Sequence, residues 1–172
     1  MSLLPRKSRT GDERKGTPDF DGVHATPYGR MGIRTANEAL TELVFLPLSR
    51  RTVAAQSRLA KEACRQIDTF IADPDFRFDL PLTHLGTPFQ RRVWDAIAAI
   101  SRGRTRTYGD IARDIASAPR AVGQACGANF FPLVIPCHRV VAAAGLGGFA
   151  HHDGGYHLQA KRWLLAHEAA GY

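Results

Sequence analysis

Residues 133–141 have the sequence LVIPCHRVV, and this stretch guides the interpretation of the rest of the chain. Two short apolar runs enclose a proline, a thiol, an imidazole and a guanidinium. Apolar runs of this length are typical of short buried strands or strand-like segments. Because proline has no backbone N–H to donate to a sheet, Pro136 should end the first run. Cys137 is therefore expected at a turn beside a buried wall.

Cys137 and His138 together could provide nucleophilic chemistry. A thiolate is a strong nucleophile, and a neighbouring histidine, arginine or helix N-terminus can lower a cysteine pKa enough to form one near neutral pH. His138 titrates near neutrality, so it could take up the proton that Cys137 must lose. A buried structural cysteine in a tight turn fits the same residues. The stretch alone does not choose between these interpretations.

The charge of the chain favours polyanionic partners. The 172 residues include 23 Lys and Arg against 16 Asp and Glu, which gives a net charge of +7. Such an excess is a weak indication of nucleic acid binding. Residues 1–20 mix basic side chains with Gly, Ser, Thr and Pro and have no apolar period, which predicts a disordered basic tail.

Membrane partners and metal ions are not expected. No apolar run approaches the length of a membrane span, and the N-terminus lacks the apolar core of a secretory signal. We therefore expect a protein of the cytoplasm, or of the nucleus if its source is eukaryotic. The chain has an odd number of cysteines, with no CxxC pair: Cys64, Cys126 and Cys137. This pattern argues against both a disulfide framework and a zinc knuckle.

A histidine-rich segment is a weaker candidate for metal binding. It contains four potential ligands: His151, His152, Asp153 and His157. Adjacent histidines in a flexible loop lack the spacing of an ordered tetrahedral site. We therefore predict no metal site.

The first half of the chain predicts a small α/β unit. Strand-like runs at 31–35 and 43–46 flank a turn, which predicts an antiparallel hairpin. Apolar residues then recur at helical spacing over 59–70, in a segment that stops before Pro74. We interpret 21–80 as a supporting domain, because it contains no motif of its own.

The C-terminal region, 81–172, begins with a well-marked helix. Thr87 as N-cap, Pro88 at the first helical position and Gln90 three residues after the cap form a capping box. An apolar face follows, and Gly103 is expected to end the helix.

Two shorter helices follow, separated by a tight turn. A second capping box at Thr107 and Asp110 starts the first, and the second spans 120–129 and is rich in very small residues. Such a pair is typical of a helix-turn-helix, and small residues let a helix backbone approach DNA closely. Tight packing between helices would explain the same residues. The positive charge of the chain favours the DNA interpretation.

The chain ends with a glycine-rich segment and a helix. Residues 142–156 surround Phe149 with glycines, which could shape a mobile pocket wall. Residues 158–169 are predicted to form an amphipathic helix. Its Glu168 could orient His138, the third member that a Cys–His pair usually needs.

Together these segments resemble the O6-alkylguanine-DNA alkyltransferases, a family of single-use repair proteins. The resemblance is specific over 80–169 and weak over 24–75. It rests on the following motifs: IPCHRVV at 135–141, GTPFQ at 86–90 with VW at 93–94, YG at 108–109, RAVG at 120–123, Asn129, and LLAHE at 164–168. It implies an α+β fold, in which a small antiparallel sheet with a helix, RNase H-like, precedes a mainly helical, winged helix-turn-helix-like domain.

The resemblance implies a suicide reaction at the PCHRV motif. Cys137 would accept the alkyl group irreversibly, and His138 would act as a base through a water. Glu168 would orient His138, and Asn129 would brace the turn that holds Cys137. Arg139 would be structural, as an ion-pair partner. Displacement at an alkyl carbon needs a thiolate and an activated leaving base, so we expect no metal or organic cofactor.

The resemblance also implies contacts with a flipped base and with duplex DNA. An alkylated guanine must leave the stack before its O6 substituent can reach a buried thiol. Tyr108 would donate a hydrogen bond to this guanine, and Val140 and Phe149 would contribute to its pocket. Arg120 would replace the extruded base in the stack. The residues expected to bind DNA lie on the second short helix: Arg120, Ala121, Gly123, Gln124 and Gly127. We expect a monomer whose partner is double-stranded DNA containing O6-alkylguanine.

Other classes of protein explain only part of the sequence. A non-catalytic alkyltransferase-like protein would bind damaged DNA without repairing it, but such proteins replace the acceptor cysteine, which is present here as Cys137. A cysteine hydrolase would use Cys137 and His138 but leaves the helix-turn-helix unexplained. A plain DNA-binding regulator leaves residues 136–139 unexplained. Suicide repair accounts for all of these features.

Overall fold

The computed structural model describes residues 19–152 and 154–169. The tail predicted over 1–20 lies almost entirely outside the described residues, and Asp153 lies outside them too. The described chain combines a small antiparallel sheet with five α-helices, which confirms the mixed α and β class that the sequence predicts.

Three strands form the N-terminal sheet: β1 Gly22–Thr26, β2 Gly29–Ala36 and β3 Ala39–Leu46. They pair antiparallel in the order β1-β2-β3. Asn37 and Glu38 join β2 to β3 with φ angles of 51° and 61°, the left-handed values that a two-residue hairpin loop requires. The predicted hairpin is confirmed, and β1 adds a third strand that the sequence pattern did not separate.

Helix α1, Arg58–Ala72, packs against the sheet. Ser57 caps it by accepting a hydrogen bond from a first-turn N–H at 3.0 Å. The predicted apolar stripe, which includes Ile67 and Phe70, is buried. The helix ends at its C-cap Asp73, directly before Pro74, as predicted.

Helix α2, Pro88–Ala98, begins with the predicted capping box. Thr87 Oγ1 accepts a hydrogen bond from the Gln90 N–H at 3.1 Å, and the Gln90 side chain accepts one from the Thr87 N–H at 2.9 Å. The predicted end at Gly103 is wrong, because the helix stops at Ala98 and the chain turns. Gly103 lies in the next turn, with a φ of 77°.

Helices α3, Tyr108–Asp114, and α4, Pro119–Gly127, pack against each other across a short turn. Thr107 caps α3 through the second predicted capping box. Trp94 of α2 donates from Nε1 to the Ala125 carbonyl at 2.8 Å, which ties α4 to α2. The predicted pair of short helices is therefore present.

The stretch 133–141 is not a pair of strands. Leu133 has a φ of 74°, which breaks the extended conformation of the first apolar run. Cys137–Arg139 form a single 3₁₀ turn, called the acceptor turn below. Val140–Val141 form β5, which pairs in parallel with β4, Arg106–Thr107. The expectation of two strand-like runs is correct only for the second.

The last helix, α5, spans Gly155–Ala169 and begins before the predicted residue 158. It is not amphipathic in the predicted sense, because its buried residues include His157, Lys161 and Glu168 beside apolar ones. Buried polar side chains need hydrogen-bond partners, so this helix carries specific contacts as well as apolar packing.

One hydrophobic core connects the two halves of the chain. Phe45 of β3 packs against Phe149 with ring centroids 5.0 Å apart, and the Leu43 N–H donates to the Phe130 carbonyl at 2.8 Å. The sheet therefore supports the glycine-rich segment and the end of α4. Within the described ranges, none of the helices has the length and apolarity that a membrane crossing needs.

Replacing Thr87 by Ala should lower the free energy of unfolding by about 1 kcal/mol, because the first turn of α2 loses a hydrogen-bond acceptor. Urea unfolding followed by circular dichroism measures this change. Thr87→Ser keeps the hydroxyl and should stay close to the parent protein. Equal stability of T87A and the parent would contradict the importance of the capping box.

Candidate active site

Glu168 lies beneath the acceptor turn and is almost completely buried, with 1% of its surface exposed. His138 Nε2 is 2.7 Å from Glu168 Oε1. Arg139 reaches the same carboxylate through Nε at 3.0 Å and Nη2 at 2.7 Å, and its Nη1 donates to the Ile100 carbonyl at 2.6 Å. Glu168 therefore links α5 to both residues that follow Cys137, and Arg139 forms an ion pair as the sequence predicts.

These contacts determine the protonation states of Glu168 and His138. Burial opposes ionisation of Glu168, but the hydrogen bonds from His138 and Arg139 outweigh it and lower the pKa of Glu168 from 4.5 to about 2. A carboxylate only accepts hydrogen bonds, so His138 Nε2 carries the proton. Burial lowers the pKa of His138, although Glu168 acts in the opposite direction. The imidazole is therefore neutral, with its lone pair on Nδ1.

His138 Nδ1 is buried and has no hydrogen-bond partner among the described residues. A buried polar atom is usually paired, so each exception needs an explanation. Because Nε2 is occupied by Glu168, Nδ1 is the ring nitrogen that can accept a proton.

Asn129, just beyond the end of α4, holds the acceptor turn. Its Nδ2 donates to the Ile135 carbonyl at 2.9 Å and to Cys137 Sγ at 3.1 Å. Its Oδ1 accepts from the Phe131 N–H at 2.9 Å. An amide has two N–H groups, so both donations can exist together. Asn129 therefore fixes the sulfur relative to α4.

Cys137 is a buried thiol rather than a thiolate in the free protein. Hydrogen bonding with the neighbouring Cys126 thiol raises the pKa of Cys137 most strongly, and burial raises it further. The Asn129 hydrogen bond and the Lys161 charge lower this pKa but are outweighed. The possibility that neighbours lower the Cys137 pKa to near neutrality is therefore not realised in the free protein.

A cavity of about 320 Å³ lies beside Cys137. The Tyr108 hydroxyl donates to the Gly148 carbonyl at 3.2 Å on its wall. Val140 is fully buried and is not among the described residues that line the cavity. The lining residues come from α3, α4, the acceptor turn and the glycine-rich segment: Tyr108, Gly123, Gln124, Cys126, Gly127, Cys137, Gly148, Phe149, Ala150, His151 and His152. Of the predicted substrate residues, Tyr108 and Phe149 therefore line the cavity with Cys137, whereas the Val140 side chain does not.

Lys161 belongs to this site, although the sequence analysis did not single it out. It is fully buried on α5, and its Nζ donates to the carbonyls of Val140 at 2.8 Å and Gly148 at 2.9 Å. Nζ is also 6.0 Å from the Tyr108 ring centroid and 5.8 Å from that of Phe149. Burial lowers the pKa of Lys161 to about 8. The sequence contains one signal that could have identified Lys161. Its spacing places it on the same helical face as the buried residues of α5.

The residues predicted to bind DNA lie along α4 and differ in exposure. Arg120 and Gln124 are exposed, whereas Ala121, Gly123 and Gly127 are partly exposed. Arg120 makes no hydrogen bond or ion pair with another described residue. The start of α4 has no side-chain cap, so its first backbone N–H groups have no side-chain acceptor.

Two glycines of α4 have different surroundings. A Cβ added at Gly127 would lie 2.3 Å from His151 Nδ1, so the histidine ring occupies the space that a side chain would need. A Cβ added at Gly123 would meet only Tyr108 Cδ1, at 4.0 Å, which is an ordinary contact. A side chain at Gly127 would therefore displace the His151 ring, whereas a side chain at Gly123 would displace no described group.

The histidine-rich segment forms an aromatic stack. His152 lies parallel to His157 with ring centroids 3.7 Å apart. Burial lowers the pKa of His157 to about 4, and His152 adds to this effect. Among the residues that the structure describes, no cluster of three or more His, Cys, Asp or Glu side chains could hold a metal ion.

Comparison with known proteins identifies the family. Residues 88–170 match the model of the 6-O-methylguanine DNA methyltransferase, DNA binding domain. The methylated-DNA–protein-cysteine methyltransferase of Methanosarcina acetivorans is 45% identical over 159 residues, which cover 88% of this chain and 99% of that relative. This chain belongs to the methylated-DNA–protein-cysteine methyltransferase family. The family that the sequence motifs predict is confirmed.

Solved structures of methyltransferases from Mycobacterium tuberculosis have the same fold. The O6-methylguanine methyltransferase of that organism superposes with a TM-score of 0.73 at 34% identity, covering 86% of this chain and 91% of that one. The structure of its OGT in complex with DNA gives a TM-score of 0.71 at 33% identity, covering 86% and 92%. The fold of this methyltransferase-family chain is therefore the fold of its enzymatic relatives.

In this member of the methyltransferase family, Glu168→Gln should lower the free energy of unfolding at pH 7 by about 3 kcal/mol, because Arg139 loses its buried ionic partner. A depressed carboxyl pKa contributes stability above the unfolded pKa and loses it as the pH falls through the folded pKa. The difference between E168Q and the parent should therefore shrink between pH 4.5 and about pH 2.

Urea unfolding at a series of pH values tests this prediction. Glu38→Gln, in the exposed hairpin loop, is the matched control and should have little effect at any pH. A difference between E168Q and the parent that stays constant with pH would rule out the ionised carboxylate as its cause.

Proposed function

We propose that this protein repairs O6-alkylguanine in double-stranded DNA by transferring the alkyl group, once and irreversibly, to Cys137. The observation that carries the proposal is the arrangement of Cys137, His138 and Glu168 in and beneath one turn, beside a cavity. Membership of the methylated-DNA–protein-cysteine methyltransferase family supports the same reaction.

The first step produces the nucleophile. The neutral Cys137 thiol must lose its proton, and His138 Nδ1 accepts it through a water because Glu168 occupies Nε2. The ionised Glu168 then stabilises the imidazolium. Asn129 and Lys161 favour the thiolate once it forms, since both lower the pKa of Cys137.

The second step is displacement at the alkyl carbon. A bond forms between Cys137 Sγ and this carbon while the bond from the carbon to guanine O6 breaks. The departing guanine needs a proton or a strong hydrogen bond, and the Tyr108 hydroxyl on the cavity wall is suited to provide it. The thiol proton, released through His138, balances the proton that guanine finally retains. A thioether has no easy route back to a thiol, so each molecule reacts once.

The substrate reaches this site as a flipped nucleotide. We propose that Phe149 packs against the extruded base and that backbone groups of Cys137 and Val140 recognise its exocyclic amine. Flipping costs a few kcal/mol, which pocket contacts and an inserted side chain must offset. Arg120 is exposed and has no partner among the described residues, so its side chain is available to fill the gap in the stack.

The face of α4 supports DNA binding next to the cavity. We propose that α3 and α4 act as the helix-turn-helix of a winged domain, with Ala121, Gly123, Gln124 and Gly127 against the minor groove. The uncapped N-terminus of α4 provides backbone N–H groups that suit a phosphate. The net charge of +7 favours the same partner.

We propose that the chain contains two domains with different functions. Residues 21–80 would form a supporting, RNase H-like domain, and residues 81–172 would bind DNA and accept the alkyl group. The match of the family model to residues 88–170 supports this boundary. We propose a monomer that acts in the cytoplasm, or in the nucleus of a eukaryote.

Incubation with a duplex that contains one O6-methylguanine should add one methyl group to Cys137 and stop after one equivalent. Intact-mass spectrometry and peptide mapping measure both the extent and the site. Cys137→Ser should bind the duplex without reacting, whereas Cys64→Ser, which removes a thiol on α1, should react like the parent. An unmodified parent protein that still binds the lesion would instead indicate a damage-binding protein.

Replacing Arg120 by Ala should slow repair of duplex DNA by roughly 5- to 150-fold, the effect of losing a contact to DNA of about 1–3 kcal/mol. Reaction with free O6-benzylguanine, which needs no flipping, should change much less. Arg58→Ala on α1 removes the same charge from another surface and serves as the control. Equal losses on both substrates would contradict a flipping role for Arg120.

A further inference from the structure

A second thiol lies beside the proposed alkyl acceptor. Cys126, near the end of α4, is 8% exposed, and Cys137, at the start of the acceptor turn, is 5% exposed. Both residues line the same cavity of about 320 Å³, and the Cys126 thiol raises the pKa of Cys137. Both are free cysteines in this structure.

Asn129 makes a hydrogen bond to each of the two cysteines. Its backbone N–H donates to the Cys126 carbonyl at 3.2 Å, while its side chain donates to Cys137 Sγ at 3.1 Å. The Trp94 hydrogen bond to the Ala125 carbonyl anchors the adjacent residue of α4. These contacts fix the backbone at Cys126 and the sulfur of Cys137, and both cysteines lie on the wall of one cavity. Cys64, in contrast, lies on α1 and does not line this cavity.

We propose that Cys126 and Cys137 form a redox pair, which hydrogen peroxide converts into a reversible disulfide. The thiolate of one cysteine attacks a peroxide oxygen, so that an S–O bond forms, the O–O bond breaks and hydroxide leaves. The second sulfur then attacks the sulfenic sulfur, so that the S–S bond forms and the S–O bond breaks. The departing hydroxide and the thiol protons give water. In total, two thiols are oxidised and one peroxide is reduced to two waters.

This pair would protect an acceptor that can be used only once. A cysteine oxidised beyond sulfenic acid to sulfinic acid is not restored by ordinary thiols, whereas a disulfide is. Cys126 would therefore act as the resolving cysteine that stops oxidation of Cys137 at a recoverable stage. This benefit rests on the proposed function, but formation of the disulfide does not.

Treatment of the full chain with hydrogen peroxide, followed by non-reducing peptide mapping, tests the proposal. The parent should lose about two mass units and give a cross-linked peptide containing Cys126 and Cys137, and dithiothreitol should reverse both changes. Cys64→Ser is the control and should behave like the parent. Cys126→Ser should instead gain about 32 mass units at Cys137, as sulfinic acid that dithiothreitol does not remove. Cys126→Ala provides the same test if the serine variant fails to fold.

Absence of the cross-linked peptide from the oxidised parent would overturn the proposal, and so would equal rates of sulfinic acid formation in the parent and C126S. Methyl transfer from an O6-methylguanine duplex, measured before oxidation and after reduction, should recover in the parent and stay lost in C126S. If the untreated parent transfers no methyl group, the proposed repair function fails, while the peptide map still decides whether the redox pair exists.

Discussion

The buried Glu168 carboxylate is the constraint on which the rest of the site depends. An ionised carboxylate taken out of water costs several kcal/mol unless hydrogen bonds replace the lost solvent. Its replacements come from His138 and Arg139, which are adjacent in the acceptor turn. Helix α5 can bury this carboxylate only when the acceptor turn is correctly folded. In return, the His138 imidazole is held in a single orientation when α5 packs against the turn. Arg139 extends the same dependence to the end of α2 through the Ile100 carbonyl.

The free site holds its reacting atoms neutral and places charge around them. The Cys137 thiol and the His138 imidazole are uncharged, while Glu168 and Arg139 lie behind them as an ion pair. A buried thiolate would carry an uncompensated charge, whereas a thiol is a weak nucleophile that is stable in this surrounding. Lys161, with its pKa lowered to about 8, remains mostly protonated at neutral pH and can stabilise the thiolate only when the proton leaves. In the proposed reaction, Cys137 must therefore lose its proton before it can act as a nucleophile.

Features encoded within a few residues could be predicted from the sequence. The two capping boxes, at Thr87 and Thr107, and the hairpin loop are local patterns of hydrogen bonding and backbone conformation, and all three occur as expected. Features that depend on residues distant in the sequence could not be predicted in this way. Lys161 is buried because carbonyls of Val140 and Gly148 surround its amino group, and neither contact is visible in the periodicity of α5.

The difference between local patterns and distant contacts also explains why some predicted boundaries were wrong while the fold class and the family were correct. The 3₁₀ turn at Cys137 packs against α5 and α2, and Arg139 of that turn donates to the Ile100 carbonyl just after α2. These contacts are distant in sequence, so glycine and proline positions alone did not give the turn or the end of α2 at Ala98. The fold class and the family followed from motifs that combine residue type with order along the chain. The assignment of catalytic and DNA-binding roles depends on a substrate, and no pattern within the chain can test it.

The small residues of α4 illustrate what geometry adds to a sequence pattern. Either close approach to DNA or tight packing within the protein would explain them, and the two explanations predict different surroundings. At Gly127 the His151 ring occupies the position of a side chain, so packing within the protein accounts for glycine there. At Gly123 the nearest described atom would be an ordinary contact at 4.0 Å, so packing leaves room for a side chain. Packing among the described residues therefore does not account for glycine at position 123, whereas the proposed close approach of a DNA backbone would account for it at this partly exposed position on α4.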